Sequence, residues 1–210
     1  MTDAVTNGAQ TKAPSGWRVA VLGSGAWGTA LALAMLRAGH FVRLYARDPD
    51  TVAAIDRGEN PHYLPGIAIE PGIVATSDIA AALDGANCVL AVTPAQSLRA
   101  VLTAAAGHVP SGVPLVLCAK GIERDTGALL SSIVEKNLPD NPVAALSGPS
   151  FASDVARGLP TAGIAARIAA ERGIEAPIIA AVAAILDGKV TIGQAVTALM
   201  TRPLKTETDI

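Results

Sequence analysis

The chain contains 210 residues, half of them hydrophobic, with 16 basic and 18 acidic side chains and a formal net charge of −2. This near-neutral balance, with no basic cluster, argues against a nucleic-acid-binding surface. The longest apolar run near the end, Ile178–Leu186, is too short to cross a bilayer, so we expect no membrane span.

The first residues and the cysteines indicate a cellular compartment. Residues 1–16 are polar and predict a disordered leader instead of a secretory signal. Cys88 and Cys118 lie in apolar runs, where buried inert thiols are more typical than a disulfide or a metal site. No cluster of His, Cys and acidic residues has the spacing of metal ligands, so no metal is expected. These features predict a soluble cytoplasmic protein.

Six short apolar runs alternate with helical stretches along the first two thirds of the chain. They predict strands at 17–23, 41–46, 72–77, 87–93, 113–120 and 142–148. Strands that are apolar on both faces belong to a parallel sheet covered by helices on both sides. The expected fold class is therefore α/β, with a doubly wound Rossmann-type parallel sheet whose ligands bind beyond the carboxyl ends of the strands.

Polar residues beside these runs predict where helices begin. A helix is predicted over Thr29–Ala38, within an Ala- and Leu-rich stretch. Ser77 and Asp78 are placed to cap the helix after the third strand. Thr93 is placed to cap the next helix, with Pro94 at its first position.

The pattern changes after Gly158. Residues 159–166 could form one more strand, and from Arg167 onward the sequence reads as helix. We therefore expect a disordered leader over 1–16, a dinucleotide-binding Rossmann domain over 17–166 and a short all-α segment over 167–210. That segment is too short to be a full second domain.

The most specific stretch is VAVLGSGAWGTALALAM, residues 19–35. Its Gly23, Gly25 and Gly28 form G-x-G-x-x-G between a predicted strand and a predicted helix. Such glycines permit a tight turn, a close approach of the backbone to a pyrophosphate, and close helix–strand packing. The helix N-terminus adds free amides for phosphates. The loop predicts dinucleotide binding, and the alternative is a glycine-rich turn of another α/β protein.

The residues after the second strand bear on the choice of coenzyme. An acidic side chain there would bind the ribose 2′-hydroxyl of NAD and repel a 2′-phosphate. Here Arg47 comes first, and a guanidinium can bind a phosphate with two hydrogen bonds. Arg47 therefore favours NADP, while Asp48 keeps NAD open.

Other strand ends face the same crevice. Pro94 lies where the central part of the coenzyme should run, although a purely structural role is equally open. Lys120 ends the fifth strand, where an ammonium could hold a ketone oxygen or a phosphate. Residues 147–150 predict a second helix N-terminus that suits an anionic substrate or the nicotinamide end. Tyr63 either covers the coenzyme or packs its own loop. No catalytic role is assigned to His40, His62 or His108.

Six motifs occur in the order and spacing of one family: VLGSGAWGTALA, NPHYLPG, AVTPAQ, AKGIE, SGPSFA and GLPTA. Residues 17–165 resemble the bacterial NAD(P)-dependent glycerol-3-phosphate dehydrogenases throughout. The resemblance implies reversible hydride transfer between NAD(P)H and dihydroxyacetone phosphate, which gives sn-glycerol 3-phosphate for glycerophospholipid synthesis. AKGIE and SGPSFA argue against other Rossmann reductases, such as hydroxyacid or pyrroline-carboxylate reductases.

The resemblance also assigns roles by motif. Lys120 is implied to contact both coenzyme and substrate and is the expected catalytic residue, because an ammonium stabilises the negative charge that ketone reduction builds on oxygen. Gly148 and Ser150 are implied to contact the substrate. Ala26, Trp27, Arg47, Tyr63 and Ala152 join Gly23, Gly25, Gly28 and Pro94 as expected coenzyme contacts.

The resemblance breaks in the second half. The family's helical domain supplies an essential lysine in a motif like GGALKN, a GLGD stretch, and an SRN motif that grips the substrate phosphate; this sequence contains none of them. A large stretch is missing near residues 166–167, and the segment after that point resembles the family's C-terminus. Three explanations stay open: a deletion in the recorded gene, a natural shortened relative without turnover, or weak activity supported by Lys120 alone. The alternative function is a non-catalytic dinucleotide-binding remnant. Apolar surface left uncovered favours association, and a homodimer is a further expectation.

Overall fold

The computed structural model describes residues 16–147, 151–158, 167–173, 177–186, 189–191, 194, 197–198 and 201. The chain divides into two compact units, Met1–Leu146 and Ser147–Ile210. The predicted leader (apart from residue 16), the extra strand at 159–166, Gly148 and Ser150 lie outside the described residues. The predicted domain boundary after residue 166 also falls beside an undescribed stretch and stays a prediction.

The first unit contains the predicted parallel sheet. Its strands are β1 (Arg18–Leu22), β2 (Phe41–Tyr45), β3 (Ile73–Thr76), β4 (Cys88–Ala91), β5 (Leu115–Leu117) and β6 (Val143–Ala145). Its helices are α1 (Ala26–Arg37), α2 (Pro49–Asp56), α3 (Ile79–Leu83), α4 (Ala95–Ala105) and α5 (Leu130–Asn137). The six strands pair in the order β3-β2-β1-β4-β5-β6, all in parallel, which confirms the doubly wound α/β fold.

The central strands are buried because helices cover both faces of the sheet. All four residues of β4 are buried, as are the last four of β1. On one face, Leu98 and Leu102 of α4 and Ile133 of α5 are fully buried in the main apolar cluster. Each such side chain contributes about 1.5–3 kcal/mol of burial free energy. This core holds the carboxyl ends of the strands in fixed positions.

Two predicted helix boundaries in the first unit were wrong, and each error has a local cause. The helix predicted to begin at Thr29 begins at Ala26, because Gly25 acts as its N-cap and the first turn runs through the glycine motif. Thr93 does not cap α4. That helix begins at Ala95, and Pro94 is the N-cap because its backbone is extended, with ψ 145°.

The predicted cap of α3 is confirmed. The carboxylate of Asp78 accepts hydrogen bonds from the backbone N–H groups of Ala80 and Ala81, at 2.9 and 3.3 Å. The side chain thereby satisfies two amides that the first turn of a helix leaves without intrahelical acceptors.

The described part of the second unit is helical, as predicted. It contains α6 (Ala152–Ala156), helical residues 167–171 and a helix over Pro177–Leu186. The N-terminus predicted at 147–150 lies too early, because α6 has Phe151 as its N-cap. Among the described residues, no helix has the length and apolar character needed to cross a membrane.

Candidate functional site

The topology places one crevice where the strand order reverses. The chain runs outward from β1 through β2 to β3, then returns to pair β4 with the other side of β1. The connection after β1 therefore leads toward one edge of the sheet, and the connection after β4 leads toward the other. The gap between these two connections is the usual ligand site of doubly wound sheets. A cavity of about 630 Å³ lies here, lined from the ends of β1, β2, β4 and β5.

Most of the predicted site residues meet at this cavity. Nine residues that were predicted to contact a coenzyme line it: Gly23, Gly25, Ala26, Trp27, Gly28, Arg47, Tyr63, Pro94 and Lys120. Ala152 is the first residue of α6 in the second unit, and its role stays a prediction. The roles predicted for Gly148 and Ser150 also stay predictions, since both lie outside the described residues.

The fold requires glycine at two of the three positions in the loop, each for a different reason. Gly23 has φ +123°, a conformation that other residues rarely adopt. At Gly28, a Cβ atom would lie 1.8 Å from the carbonyl oxygen of Gly23, so no larger residue fits. At Gly25, a Cβ atom would meet no protein atom within 4 Å, and φ is an ordinary −64°. The fold itself does not require glycine at position 25, but a ligand that approaches the backbone there would.

The start of α1 supplies the polar groups for such a ligand. The first intrahelical bond runs from the N–H of Thr29 to the carbonyl oxygen of Gly25, at 2.9 Å. The amides of Ala26, Trp27 and Gly28 precede that bond, so they have no intrahelical acceptor, and all three residues line the cavity. Together with the positive end of the helix dipole, they form a site suited to phosphate oxygens.

A buried asparagine braces the glycine loop. Asn60, only 2% exposed, donates hydrogen bonds of 2.9 Å to the carbonyl oxygen of Ser24 and to Oγ1 of Thr29. The hydroxyl of Thr29 donates in turn to the same Ser24 oxygen, at 3.2 Å. Asn60 belongs to NPHYLPG, which was singled out only for Tyr63, and no local pattern indicated this contact.

Asp48 is occupied by its own helix. Its carboxylate accepts hydrogen bonds from Oγ1 of Thr51, at 2.8 Å, and from the N–H of Asp50, at 3.2 Å. These bonds, that of Thr51 above all, hold the pKa of Asp48 below its usual range. Arg47 is exposed beside the cavity and has no ion pair among the described residues. The guanidinium of Arg47 is therefore available to a ligand at the end of β2, while each carboxylate oxygen of Asp48 already accepts one hydrogen bond.

Aromatic side chains are concentrated at the cavity. The chain has only two residues each of Trp, Tyr and Phe, yet Trp27, Tyr45 and Tyr63 all line it. Tyr63 is 46% exposed, and its ring packs edge-on against His62 with ring centroids 4.4 Å apart. Flat apolar faces beside phosphate-binding amides suit the rings of a nucleotide.

The sequence prediction missed further lining residues: Ser24, Tyr45, Val92, Thr93, Ala95, Ser97, Val101, Cys118 and Ala119. Tyr45 and Thr93 follow the same strand-end rule that identified Lys120. Ser97 and Val101 are one turn apart on α4. Cys118 is a buried free thiol, as predicted, and burial raises its pKa to about 11, which disfavours the thiolate at neutral pH. The described residues contain no cluster of metal-binding side chains.

Thr93 carries an unusual hydroxyl. The residue is 8% exposed, and its Oγ1 atom is fully buried without a hydrogen-bond partner among the described residues. An unpaired buried hydroxyl costs about 1–3 kcal/mol. Thr93 lines the cavity, but its Oγ1 atom is buried by the protein itself and presents no accessible surface to a ligand there.

Comparisons with known proteins agree with this chemistry. Residues 18–172 match the family model described as NAD-dependent glycerol-3-phosphate dehydrogenase N-terminus. Glycerol-3-phosphate dehydrogenase [NAD(P)+] of Chelativorans sp. is 61% identical over 147 residues, which is 70% of this chain. The crystal structure of glycerol-3-phosphate dehydrogenase from Coxiella burnetii superposes with a TM-score of 0.65 at 34% identity, over 69% of this chain.

The chain spans less than half the length of these two proteins, 45% in each case. A third relative, glycerol-3-phosphate dehydrogenase [NAD(P)+] of Mesorhizobium japonicum, is 48% identical in an alignment that covers all of both chains. That alignment runs over 342 positions, against the 210 residues present here, so a large part of that enzyme has no counterpart in this chain.

Proposed function

Because this chain belongs to the NAD-dependent glycerol-3-phosphate dehydrogenase family, matched by its N-terminal domain, we propose that the first unit binds a nicotinamide dinucleotide in the cavity between β1 and β4. The glycine loop and the amides of α1 hold the pyrophosphate, while Trp27 and Tyr63 cover the coenzyme. The observation that carries this proposal is the group of free amides of Ala26, Trp27 and Gly28 that lines the cavity, with open space beside them at Gly25.

The same proposal names NADP as the preferred coenzyme. Arg47 is exposed at the end of β2, and its guanidinium can bind a 2′-phosphate with two hydrogen bonds. The carboxylate of Asp48 already accepts bonds from Thr51 and Asp50, which leaves it less able to bind a ribose 2′-hydroxyl. These two observations together favour NADP over NAD.

For the enzyme of which this chain carries the N-terminal domain, we propose the reduction of dihydroxyacetone phosphate to sn-glycerol 3-phosphate, which serves glycerophospholipid synthesis. When bound, the coenzyme supplies the hydride. Lys120 lines the cavity three residues after the end of β5, where its ammonium stabilises the developing alkoxide and donates the proton. Gly148 and Ser150 are the proposed substrate contacts, and Ala152 is a proposed coenzyme contact.

A second candidate is a dinucleotide-binding protein without turnover. The observation that favours it is the 45% share of its relatives' length, because an enzyme that lacks one wall of its active site loses water exclusion and substrate positioning. Dihydroxyacetone-phosphate-dependent oxidation of NADPH by the purified chain separates the two. Turnover supports the enzyme, and binding of NADPH without turnover supports the second candidate.

Coenzyme binding itself is tested with a pair of glycine variants. Gly25→Ala fills the open space without touching the protein, so we expect folding to be preserved and NADPH affinity to fall at least about tenfold through steric exclusion at the pyrophosphate. Gly107→Ala is the matched control, because a Cβ atom there also meets no protein atom within 4 Å and Gly107 does not line the cavity. Titration calorimetry that gives equal affinities for both variants would contradict the proposed site.

We further propose that the protein forms a homodimer and is located in the cytoplasm. Trp17 and Phe41 are 55% and 48% exposed and adjacent, with the N–H of Phe41 donating to the carbonyl oxygen of Trp17. This exposed apolar pair supports a homodimer, which sedimentation equilibrium would test. Both described cysteines are free thiols, which supports a cytoplasmic location, because disulfides are rare there.

A further inference from the structure

Two stripes of α4 have different contacts. Ser97 and Val101, four residues apart, line the cavity. Gln96 and Arg99, three residues apart, form hydrogen bonds with the loop after Lys120. Because residues three and four positions apart share a helix face, α4 joins the coenzyme cavity to the Lys120 loop through one rigid element.

Gln96 holds the backbone of the Lys120 loop at two points. Its Nε2 donates to the carbonyl oxygen of Ile122 at 3.0 Å, and its Oε1 accepts from the N–H of Arg124 at 2.9 Å. These two backbone groups lie on either side of Glu123. A single side-chain amide therefore fixes both the position of this part of the loop and the orientation of its peptide groups relative to α4.

Glu123 fastens the same loop from its own side. Its side chain is 9% exposed, and its carboxylate accepts bonds of 2.8 and 2.7 Å from Nε and Nη2 of Arg99. A further bond comes from the hydroxyl of Thr126. The guanidinium of Arg99 and the hydroxyl of Thr126 lower the pKa of Glu123 to about 2, so the carboxylate is ionised at neutral pH and does not act as a proton donor.

The loop beyond Lys120 is held by bonds of its own as well as by α4. The N–H of Glu123 donates to the carbonyl oxygen of Ala128, and the N–H of Gly127 donates to that of Glu123, both at 2.9 Å.

Gly121 comes directly after Lys120 with φ +112°, a conformation that glycine adopts at no steric cost. Because glycine has no side chain, it restrains the backbone beside Lys120 only weakly. Before Lys120, the N–H of Cys118 donates to the carbonyl oxygen of Ala91, at 3.0 Å. After Gly121, Gln96 and Arg99 provide side-chain anchors from α4.

From these contacts we propose that Gln96, Arg99 and Glu123, here called the α4 latch, are positioning residues that hold Lys120 at the cavity. This inference rests on the proposed function, because the latch has a role in binding only if Lys120 contacts the coenzyme. The latch itself contacts no reacting group. It acts only by setting where the ammonium group of Lys120 lies in the cavity.

The first test is made without coenzyme. Gln96 is exposed and its side chain bonds only to loop backbone, so Gln96→Ala is expected to fold. Amide hydrogen exchange at Arg124 and its neighbours should rise about fivefold. Thr103→Ala is the control, since Thr103 lies on the same stripe but its hydroxyl donates to the backbone carbonyl oxygen of Arg99 and to Asn137 of α5, and not to the Lys120 loop. Exchange in the Lys120 loop that stays unchanged in Gln96→Ala overturns the latch.

The second test is a double-mutant cycle on NADPH affinity, with Lys120→Ala as the partner substitution. If the latch acts through Lys120, Gln96→Ala weakens NADPH binding about fivefold in the unsubstituted background and has no effect once Lys120 is replaced. Arg99→Lys keeps the charge but not the two paired donors. Its NADPH affinity should lie between the affinities of the unsubstituted chain and of Arg99→Ala. Additive losses overturn the proposal, because they indicate a merely structural role.

The outcomes also separate this proposal from the proposed function. An unsubstituted chain that binds no NADPH contradicts the proposed function, and with it the purpose of the latch. A chain that binds NADPH equally well with and without Gln96 contradicts the latch alone.

Discussion

The side-chain amide of Asn60 donates a hydrogen bond of 2.9 Å to the backbone carbonyl oxygen of Ser24, across 36 positions of sequence. Ser24 lies between the first two glycines of the loop, so this bond sets the orientation of the peptide that faces the cavity. The same amide group also bonds to Thr29 in the second turn of α1. The loop's shape is therefore fixed from outside as well as by its own glycines.

Asn60→Ala should reduce both stability and coenzyme affinity. It removes the only side-chain amide that donates to both groups and leaves the carbonyl oxygen of Ser24 with the longer bond from the hydroxyl of Thr29, at 3.2 Å. We expect a loss of about 1–3 kcal/mol in the free energy of unfolding. Urea denaturation and NADPH titration measure the two effects. Asn87→Ala is the control, because exposed Asn87 accepts one bond from the N–H of Arg18 far from the loop. Equal NADPH affinity in Asn60→Ala and Asn87→Ala would show that the brace does not shape the site.

Arg47→Ala should change coenzyme preference instead of general affinity. Loss of the guanidinium removes the charge-assisted bonds to a 2′-phosphate, so we expect NADPH to bind about ten- to a hundredfold more weakly and NADH almost unchanged. Calorimetric titration with both coenzymes measures the ratio. Arg57→Ala is a suitable control, since Arg57 is an exposed arginine at the far end of α2. A parallel loss for NADPH and NADH would contradict the assignment of Arg47.

Glu123 should make folding stability depend on acid pH. Folding lowers its pKa from 4.5 to about 2, so its contribution is complete above pH 4.5 and is lost as the pH falls from 4.5 toward 2. Glu123→Gln should therefore be less stable than the unsubstituted chain at pH 7, and the difference should narrow at pH 3. Urea unfolding at both values measures it. A difference that is as large at pH 3 as at pH 7 would contradict the stabilising ion pair with Arg99.

Thr93→Val should stabilise the coenzyme-free chain. The two side chains have nearly the same shape, and the substitution removes a buried hydroxyl that has no partner among the described residues. We expect a gain of about 1 kcal/mol in the free energy of unfolding. NADPH affinity should stay unchanged in the same variant, because the buried Oγ1 atom presents no accessible surface to the cavity. Thermal unfolding with and without NADPH measures both quantities, and a less stable coenzyme-free variant would mean that Oγ1 has a partner.

The strand ends illustrate how much of the site was predictable. Each apolar run predicted a strand, and the next residues were therefore predicted at one edge of the sheet, which placed Arg47, Pro94 and Lys120 correctly at one cavity. Thr93 shows the limit of this reasoning. Its hydroxyl next to Pro94 favoured a cap, but the cap depends on the backbone angles of Pro94, which the residue types leave open.

The sequence by itself determined the features that depend on neighbours along the chain. Runs of apolar residues fixed the strands, and the G-x-G-x-x-G spacing fixed the turn into α1, because backbone sterics and periodicity act over a few residues. Only the tertiary structure decided which distant polar groups meet: Asn60 with Ser24, and Gln96 with the Lys120 loop. Hydrogen bonds act over about 3 Å, so their partners are set by how the sheet brings distant segments together.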